Sequence, residues 1–463
     1  MIFNRLAKSA VVWSWLFNTL RLATGIILFP LVLWKFSKAD FGMYGVLLNL
    51  AGLVPIIDFG FGPTIGRFVS YAYGGAETLQ ARGLKNPAST GSPNHALLWQ
   101  LLDTTRALYR YITLIILVIL GLWGTYTVEL RIHETSSVLI TRLAWYTTLL
   151  AAGLDMYWSW WNTYLNGMNQ VTTAARIGTL AMGVRFVLAV GLLLGGAGLL
   201  SLPIASLVGS LLERQLARAF CLKLLPPRIP SANPNAFRET MRIIWPNTWR
   251  LGVQFLSNSL LDVGVLICLN KFTLATMGQY IVSTKLMGIA ASMAAVWTQT
   301  KWPVIGQYQA QHEFARLRQV LWPRVWLQNL TFLALATGVV FVGPTLLQQF
   351  GHGKEMLPFV WMLVLVAQMF CLMNFSLWTM LISTGNQLPH LWYTVATNAV
   401  SFTLALCLVG FTDLGLGAFV LGPLIAGSLY NYWCWPFVAA RGIGTTLVHF
   451  LFRGPGTPTS RPS

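Results

Sequence analysis

Apolar stretches of about 20 residues recur along nearly the whole chain and constrain its fold more than any other feature. A helix of that length covers about 30 Å, the thickness of a bilayer's hydrocarbon core. Only 10% of the residues are charged and 55% are hydrophobic, which excludes a disordered chain and argues against an ordinary soluble enzyme. We therefore predict an all-α polytopic membrane protein with about twelve spans, at 11–34, 41–72, 108–128, 139–166, 171–195, 199–221, 246–270, 276–303, 325–347, 357–384, 388–410 and 416–440.

The basic residues are unevenly distributed between alternate loops. The N-terminal tail, the even-numbered loops and the C-terminal tail together hold eighteen Lys and Arg, Arg214 among them, against six in the odd-numbered loops. By the positive-inside rule, both termini are predicted to lie in the cytoplasm of a cell whose inner membrane the chain crosses many times. Most of the formal net charge of +18 then reflects the orientation of the chain in the membrane. Nucleic acid is therefore not an expected partner.

A proline-rich hydrophilic segment divides the predicted spans into two sets of six. It contains Pro226, Pro227, Pro230 and Pro234. We predict an N-lobe over 1–222, a cytoplasmic linker over 223–245, a C-lobe over 246–440, and a cytoplasmic tail over 441–463 that is disordered at its end.

Two short matches relate the predicted lobes. Residues 35–44 (KFSKADFGMY) and 271–280 (KFTLATMGQY) share the pattern K-F-[ST]-x-A-x-x-G-x-Y at an offset of 236. Residues 63–68 (PTIGRF) and 303–308 (PVIGQY) match at an offset of 240. The matches join spans of the same predicted orientation and indicate a parallel duplication, which is a transporter architecture with its substrate site between the repeats. Chance similarity within a biased composition is the alternative.

Ionisable groups inside predicted spans are costly in lipid and mark functional candidates. At about 100° per residue, several of them share a polar stripe with uncharged polar residues: Arg21 with Asn18 on the first span, Asp155 with Asn162 on the fourth, Arg176 on the fifth, and Lys285 on the eighth. The eleventh span has an uncharged polar stripe that includes Thr397. Arg185 falls on the face of the fifth span opposite Arg176. We predict a cationic, substrate-binding cavity formed by Arg21, Arg250, Lys285, Arg176, Asn18, Asn247, Gln254 and Asn258. The alternative is that the polar stripes hydrogen-bond between helices.

The most distinctive local signature is Asp58-Phe59-Gly60-Phe61-Gly62-Pro63 in the second span. Two glycines and a proline weaken a helix and allow it to bend. Asp58 could accept hydrogen bonds from freed backbone groups, pair with an arginine, or couple transport to an ion. The candidates for ion coupling or for a hinge are Asp58, Asp155, Asp262, Gly60, Gly62 and Pro63.

Residues 313–324 (EFARLRQVLWPR) combine apolar and basic side chains. This pattern predicts a short amphipathic helix that lies on the membrane surface before the ninth span.

With two six-helix halves, the D-F-G-F-G motif at 58–62, Arg67-Phe68-Val69 after it, and Ala39-Asp40-Phe41-Gly42-x-Tyr44-Gly45 before it, the chain resembles the polysaccharide transporter family. These are the O-antigen-type flippases of the multidrug/oligosaccharidyl-lipid/polysaccharide exporter superfamily. The resemblance implies alternating access of a central cationic cavity. It also implies transfer of an undecaprenyl-pyrophosphate-linked oligosaccharide from the cytoplasmic to the periplasmic leaflet.

Other functions remain open from the sequence. An ion-coupled multidrug exporter would share the fold, although organic cations favour acidic cavities. A membrane-embedded glycan polymerase or ligase would need larger periplasmic loops than this chain has. No P-loop, H-E-x-x-H or Cys/His cluster occurs, so we expect a transporter with no cofactor or metal. The expected partners are the lipid-linked oligosaccharide, membrane lipids and glycan assembly proteins, and we expect a monomer.

Overall fold

The computed structural model describes residues 27–76, 78, 93–225, 227, 236–350, 354–383 and 389–455. Contacts divide the chain into two compact units, Met1–Ser259 (unit 1) and Leu260–Ser463 (unit 2). Every regular element in the described residues is helical. Asn18 and Arg21 lie outside the described residues, as do residues 456–463 of the predicted tail.

The described part of unit 1 has a helical stretch over 27–35 followed by ten α-helices. A π-helical turn over Leu120–Gly124 joins α4 to α5. In chain order the helices are α1 (Lys38–Gly52), α2 (Val54–Ile57), α3 (Phe61–Tyr73), α4 (His95–Ile119), α5 (Thr125–Glu129), α6 (Val138–Trp158), α7 (Trp160–Gly167), α8 (Val171–Leu194), α9 (Ser201–Leu224) and α10 (Ala236–Asn258).

Unit 2 has the same helical character over its described residues, and short 3-10 turns precede two of its helices. The helices are α11 (Leu260–Ile267), α12 (Leu274–Gln299), α13 (Trp302–Ala310), α14 (Phe314–Phe341), α15 (Gly343–Phe350), α16 (Phe359–Ile382), α17 (Leu391–Phe411), α18 (Ala418–Leu429), α19 (Asn431–Gly442) and α20 (Leu447–Arg453).

The surface of these helices is apolar where a soluble protein would be polar. On α4, for example, Leu114 is 61% exposed and Val118 is 51% exposed. Within the described residues, seven helices are long and apolar enough to cross a membrane, and α10 with α11 forms an eighth, bent candidate. Exposed leucines and valines on long helices are what contact with lipid requires. The structure is therefore that of a multi-pass helical membrane protein, as the sequence predicted.

The two predicted repeat segments begin their helices in the same way. Ser37 caps α1 by accepting from the backbone N–H of Asp40 at 3.0 Å, and Thr273 caps α12 by accepting from that of Thr276 at 3.3 Å. The caps lie 236 residues apart, the offset of the sequence match. The hydroxyl in the repeat pattern is therefore a helix N-cap in both units.

The second predicted span is broken where the glycine-rich signature lies. Helix α2 ends at Ile57, and α3 starts at Phe61 after a turn in which Phe59 and Gly60 have φ values of 52° and 78°. A positive φ is unfavourable for a phenylalanine, so its surroundings must hold it. The Phe59 ring stacks on Trp245 of α10 and lies against Gly252 of the same helix.

Helix α10 belongs to unit 1 according to its contacts. The sequence assigned most of this helix to the C-lobe, and the predicted lobe boundary stays a prediction.

Residues 313–324 were predicted as a separate surface helix, which is wrong. Phe314–Phe341 is one continuous helix that includes Pro323, and Arg318 within it is buried. Its guanidinium donates to the carbonyl oxygen of Ile443 at 2.7 Å, at the end of α19.

We expect Gly252→Ala to lower the unfolding temperature of the purified protein. A Cβ at this position would overlap the Phe59 ring, and overpacking of this kind costs about 1–3 kcal/mol. Gly183→Ala is the matched control, because a Cβ there meets nothing within 4 Å in the interior of α8. The control should unfold at the wild-type temperature or slightly above. Equal unfolding temperatures for Gly252→Ala and Gly183→Ala would show that Phe59 is not held by this contact.

Candidate functional site

The turn between α2 and α3 places a carboxylate inside unit 1. Asp58 Oδ2 accepts from the backbone N–H of Gly62 at 3.0 Å, and Oδ1 accepts from the Tyr109 hydroxyl of α4 at 2.5 Å. Asp58 therefore caps the first turn of α3, where its negative charge is favoured by the helix dipole. Gly62 favours this close approach, since a Cβ there would lie 3.3 Å from the carboxylate and the carboxylate would have to shift slightly.

A second polar group lies between α6, α7 and α9. Arg214 Nε donates to Asp155 Oδ1 at 2.9 Å, and its Nη1 lies 3.4 Å from Glu213 Oε1. The same Glu213 oxygen accepts from the Asn162 side-chain amide at 2.5 Å. The Arg214 side chain is only 15% exposed. One guanidinium thus serves two carboxylates, and we call Asp155, Glu213 and Arg214 the Arg214 cluster.

The position of Arg214 changes the count of basic residues in the predicted cytoplasmic segments. Arg214 was counted with a cytoplasmic loop, yet it lies within α9 and inside unit 1. Removing it leaves seventeen basic residues against six, so the predicted orientation does not depend on it.

The structure spreads the predicted cavity residues over both units. Asn247, Arg250, Gln254 and Asn258 all belong to α10, and the Arg250 guanidinium is 5.8 Å from the Trp249 ring. Arg250, Asn258 and Arg176 are exposed on unit 1, whereas Lys285 and Asp262 are exposed on unit 2.

Lys285 interacts electrostatically with Asp262, and both belong to unit 2. Helical phase could not reveal this neighbour, because Asp262 lies on α11 and Lys285 on α12. Lys285 therefore has an acidic neighbour within its own unit.

Some stripe residues form hydrogen bonds between helices. Asn162 bonds to Glu213, as described above, and in unit 2 Thr397 of α17 accepts from the Asn431 amide of α19 at 2.8 Å. For these side chains the alternative interpretation of the stripes, bonding between helices, describes the structure.

The sequence missed Tyr109, Glu213 and Arg214 as site residues. Tyr109 lies at the start of a predicted span on which no polar stripe was found. Glu213 and Arg214 fall inside the predicted sixth span, near its cytoplasmic end, where charged side chains usually reach the membrane surface. In the structure α9 continues to Leu224, so the two residues lie more than two turns before its end. Their distance from the end of the helix is the signal that could have marked them as interior residues. Among the described residues, no group of His, Cys, Asp or Glu could hold a metal ion.

No protein-family model matches the chain, and no curated protein matches its sequence. Solved structures do match. A multidrug resistance MATE family transporter of the MOP superfamily, in its inward-facing conformation, aligns with a TM-score of 0.56 and 15% identity over 94% of this chain and 99% of that one. The chain has the fold of a MATE transporter.

Two further structures share this fold. The MATE multidrug transporter DinF-BH aligns with a TM-score of 0.60 and 13% identity over 92% of this chain and 93% of that one. The lipid II flippase MurJ, in its inward closed conformation, aligns with a TM-score of 0.58 and 14% identity over 91% of this chain and 87% of that one. The fold is thus shared by drug transporters and a lipid flippase, and the predicted fold class of about twelve helices is confirmed.

We expect Arg214→Gln to destabilise unit 1 by about 3 kcal/mol, because it leaves two half-buried carboxylates without their cation. Adding Asp155→Asn to this variant should restore part of the loss, and the comparison forms a double-mutant cycle. Thermal unfolding measures both. Arg142→Gln is the control, since its pair with Glu129 is exposed and contributes less than about 1 kcal/mol. Additive effects of Arg214→Gln and Asp155→Asn would contradict the coupling.

Proposed function

We propose that the protein is a flippase that moves an undecaprenyl-pyrophosphate-linked oligosaccharide from the cytoplasmic to the periplasmic leaflet. In this proposal a central cationic cavity alternates between the two sides of the bacterial inner membrane. The fold shared with the lipid II flippase MurJ supports it. The rival is an ion-coupled multidrug exporter, which the fold shared with MATE multidrug transporters supports equally.

The observation that favours the flippase is that carboxylates of unit 1 are already bonded to other groups of the protein. Asp155 and Glu213 bond to Arg214, and Asp58 bonds to Tyr109 and to a backbone N–H. A cationic drug needs a carboxylate that is available to it, and it would have to displace Arg214 to reach Asp155 and Glu213. The acids of the Arg214 cluster are therefore poorly placed to select an organic cation.

The exposed cations of unit 1 suit an anionic substrate. Arg176 on α8 and Arg250 on α10 are exposed, and Arg250 lies on the same helix as Gln254 and Asn258. A guanidinium forms short, paired hydrogen bonds with phosphate oxygens, and amides can donate to sugar hydroxyls. We propose that these residues, with Asn18, Arg21, Asn247 and Lys285, bind the pyrophosphate and the first sugars.

The membrane potential gives this transfer a direction. Moving negative charge out of a cell that is negative inside is favoured by about 2.3 kcal/mol per charge per 100 mV. The return of the emptied cationic cavity would oppose the potential, so an ion could assist it. Asp58, Asp155 and Asp262 are proposed for that role, and Gly60, Gly62 and Pro63 for the hinge.

We expect Arg250→Ala and Arg21→Ala each to reduce transport strongly while leaving the protein in the membrane at its wild-type level. Surface glycan should fall by about tenfold or more, because a charge-assisted hydrogen bond contributes about 1.5–3 kcal/mol. The lipid-linked intermediate should accumulate on the cytoplasmic side. The measurement is surface glycan and intermediate in the native host, with the chromosomal copy deleted and each variant supplied in its place.

Arg142→Ala is the control for this experiment, since its partner is Glu129 in an exposed pair outside the proposed cavity. It should restore surface glycan to the wild-type amount. Normal surface glycan in both Arg250→Ala and Arg21→Ala would remove the cavity assignment. A deletion that leaves surface glycan intact but makes the cells sensitive to organic cations would favour the multidrug exporter.

A further inference from the structure

Unit 1 contains a cavity of about 330 Å³, and apart from Asp155 none of its lining residues belongs to the proposed transport pathway. One half of its wall is apolar and comes from α1 and α2, with Leu47, Leu48 and Pro55. The rest of the wall comes from α6, α8 and α9, where Arg185, two serines and the Arg214 cluster lie among apolar residues such as Leu202 and Pro203. A volume of this size is within the range of small-molecule sites in proteins.

Arg185 is the cation in this wall that has no carboxylate partner. Its Nη2 lies 3.3 Å from Ser210 Oγ, and its buried Nε has no hydrogen-bond partner. Within the described part of unit 1, no ion pair joins Arg185 to an acid, since Asp155 and Glu213 bond to Arg214 instead. An unpaired guanidinium inside a membrane lobe is costly, and an anion would lower that cost.

Gly209 is what allows Arg185 to reach the cavity. A Cβ at this position would lie 2.9 Å from Arg185 Nε and 3.0 Å from Arg185 Cβ. Because this residue of α9 has no side chain, the arginine crosses from α8 to α9 and brings its head group to Ser210.

Two hydroxyls complete a set of anion donors beside Arg185. Ser206 and Ser210 both line the cavity and lie one turn apart on α9. The Ser210 oxygen accepts from Arg185, so its own proton remains available for a ligand. A guanidinium with two hydroxyls is a donor set suited to phosphate or carboxylate oxygens.

We propose that this cavity binds a small oxyanion, a phosphate or carboxylate group, through Arg185, Ser206 and Ser210. Asp155 and Glu213 line the same cavity, and their charges are compensated by Arg214. The apolar half of the wall leaves room for a short apolar portion of the ligand. The oxyanion could be free in solution or belong to the head group of an anionic phospholipid. The argument for this site does not rest on the proposed flippase activity.

The test is the unfolding temperature of the full-length protein. In detergent, phosphate is titrated against chloride at constant ionic strength; in nanodiscs, phosphatidylcholine alone is compared with a mixture containing phosphatidylglycerol. At ten times its dissociation constant the ligand should raise the unfolding temperature by about 3 °C. Arg185→Gln should lose this rise, whereas Arg142→Gln, which removes an exposed arginine, should keep it.

The two arms separate the sources of the anion. A rise with phosphate alone assigns a free anion, and a rise in the phosphatidylglycerol nanodiscs alone assigns a lipid head group. If Arg185→Gln does not fold, the Ser206→Ala/Ser210→Ala variant replaces it and should show less than half of the wild-type rise. No rise in either arm, or equal rises in the wild type and in the variant tested, would overturn the proposal.

Discussion

The Arg214 guanidinium bonds to Asp155 of α6 and to Glu213, which in turn binds Asn162 of α7. These contacts join three helices of unit 1 through charged groups in a region where lipid offers no hydration. Interior charges of this kind persist only when they are paired and hydrogen-bonded, so the packing of α6, α7 and α9 has to keep all of them together. The cavity beside them, with its remaining cation at Arg185, depends on the same packing.

The break at Asp58–Gly60 is also held in place by specific local contacts. Two successive residues with positive φ end one helix and start the next, and Asp58 closes the new helix by accepting from Gly62. Trp245 and Gly252 of α10 then hold the Phe59 ring. Asp58 is thus a helix cap in this structure, and its proposed part in ion coupling would require the cap to open. Breaking the hydrogen bond between Asp58 and Gly62 would then both free the carboxylate for an ion and loosen the turn at which the span bends.

Much of the fold could be predicted from the sequence because lipid imposes a simple rule. Every span must be helical and apolar, so length and hydropathy alone indicate the helices, and the D-F-G-F-G segment indicates the break at 58–60. The repeat of ten residues aligned Ser37 with Thr273, and the structure then showed that both are N-caps. The site was harder, because helical phase sorts residues on one helix but says nothing about which helices meet. Asp155 was identified, while its partner Arg214 was counted with a loop.

Arg176 and Arg185 show why counting charges is insufficient. Both lie on α8, nine residues apart and on opposite faces, and the sequence favoured Arg176 because it falls on a polar stripe. A stripe, however, indicates only a face that avoids lipid, and either a substrate cavity or a neighbouring helix can satisfy it. Arg185 lacks a stripe on its own helix because its polar surroundings come from α9, where Gly209 makes the space and Ser210 the contact. An isolated arginine on an apolar face can therefore be the more informative residue, since another helix must supply what its own helix does not.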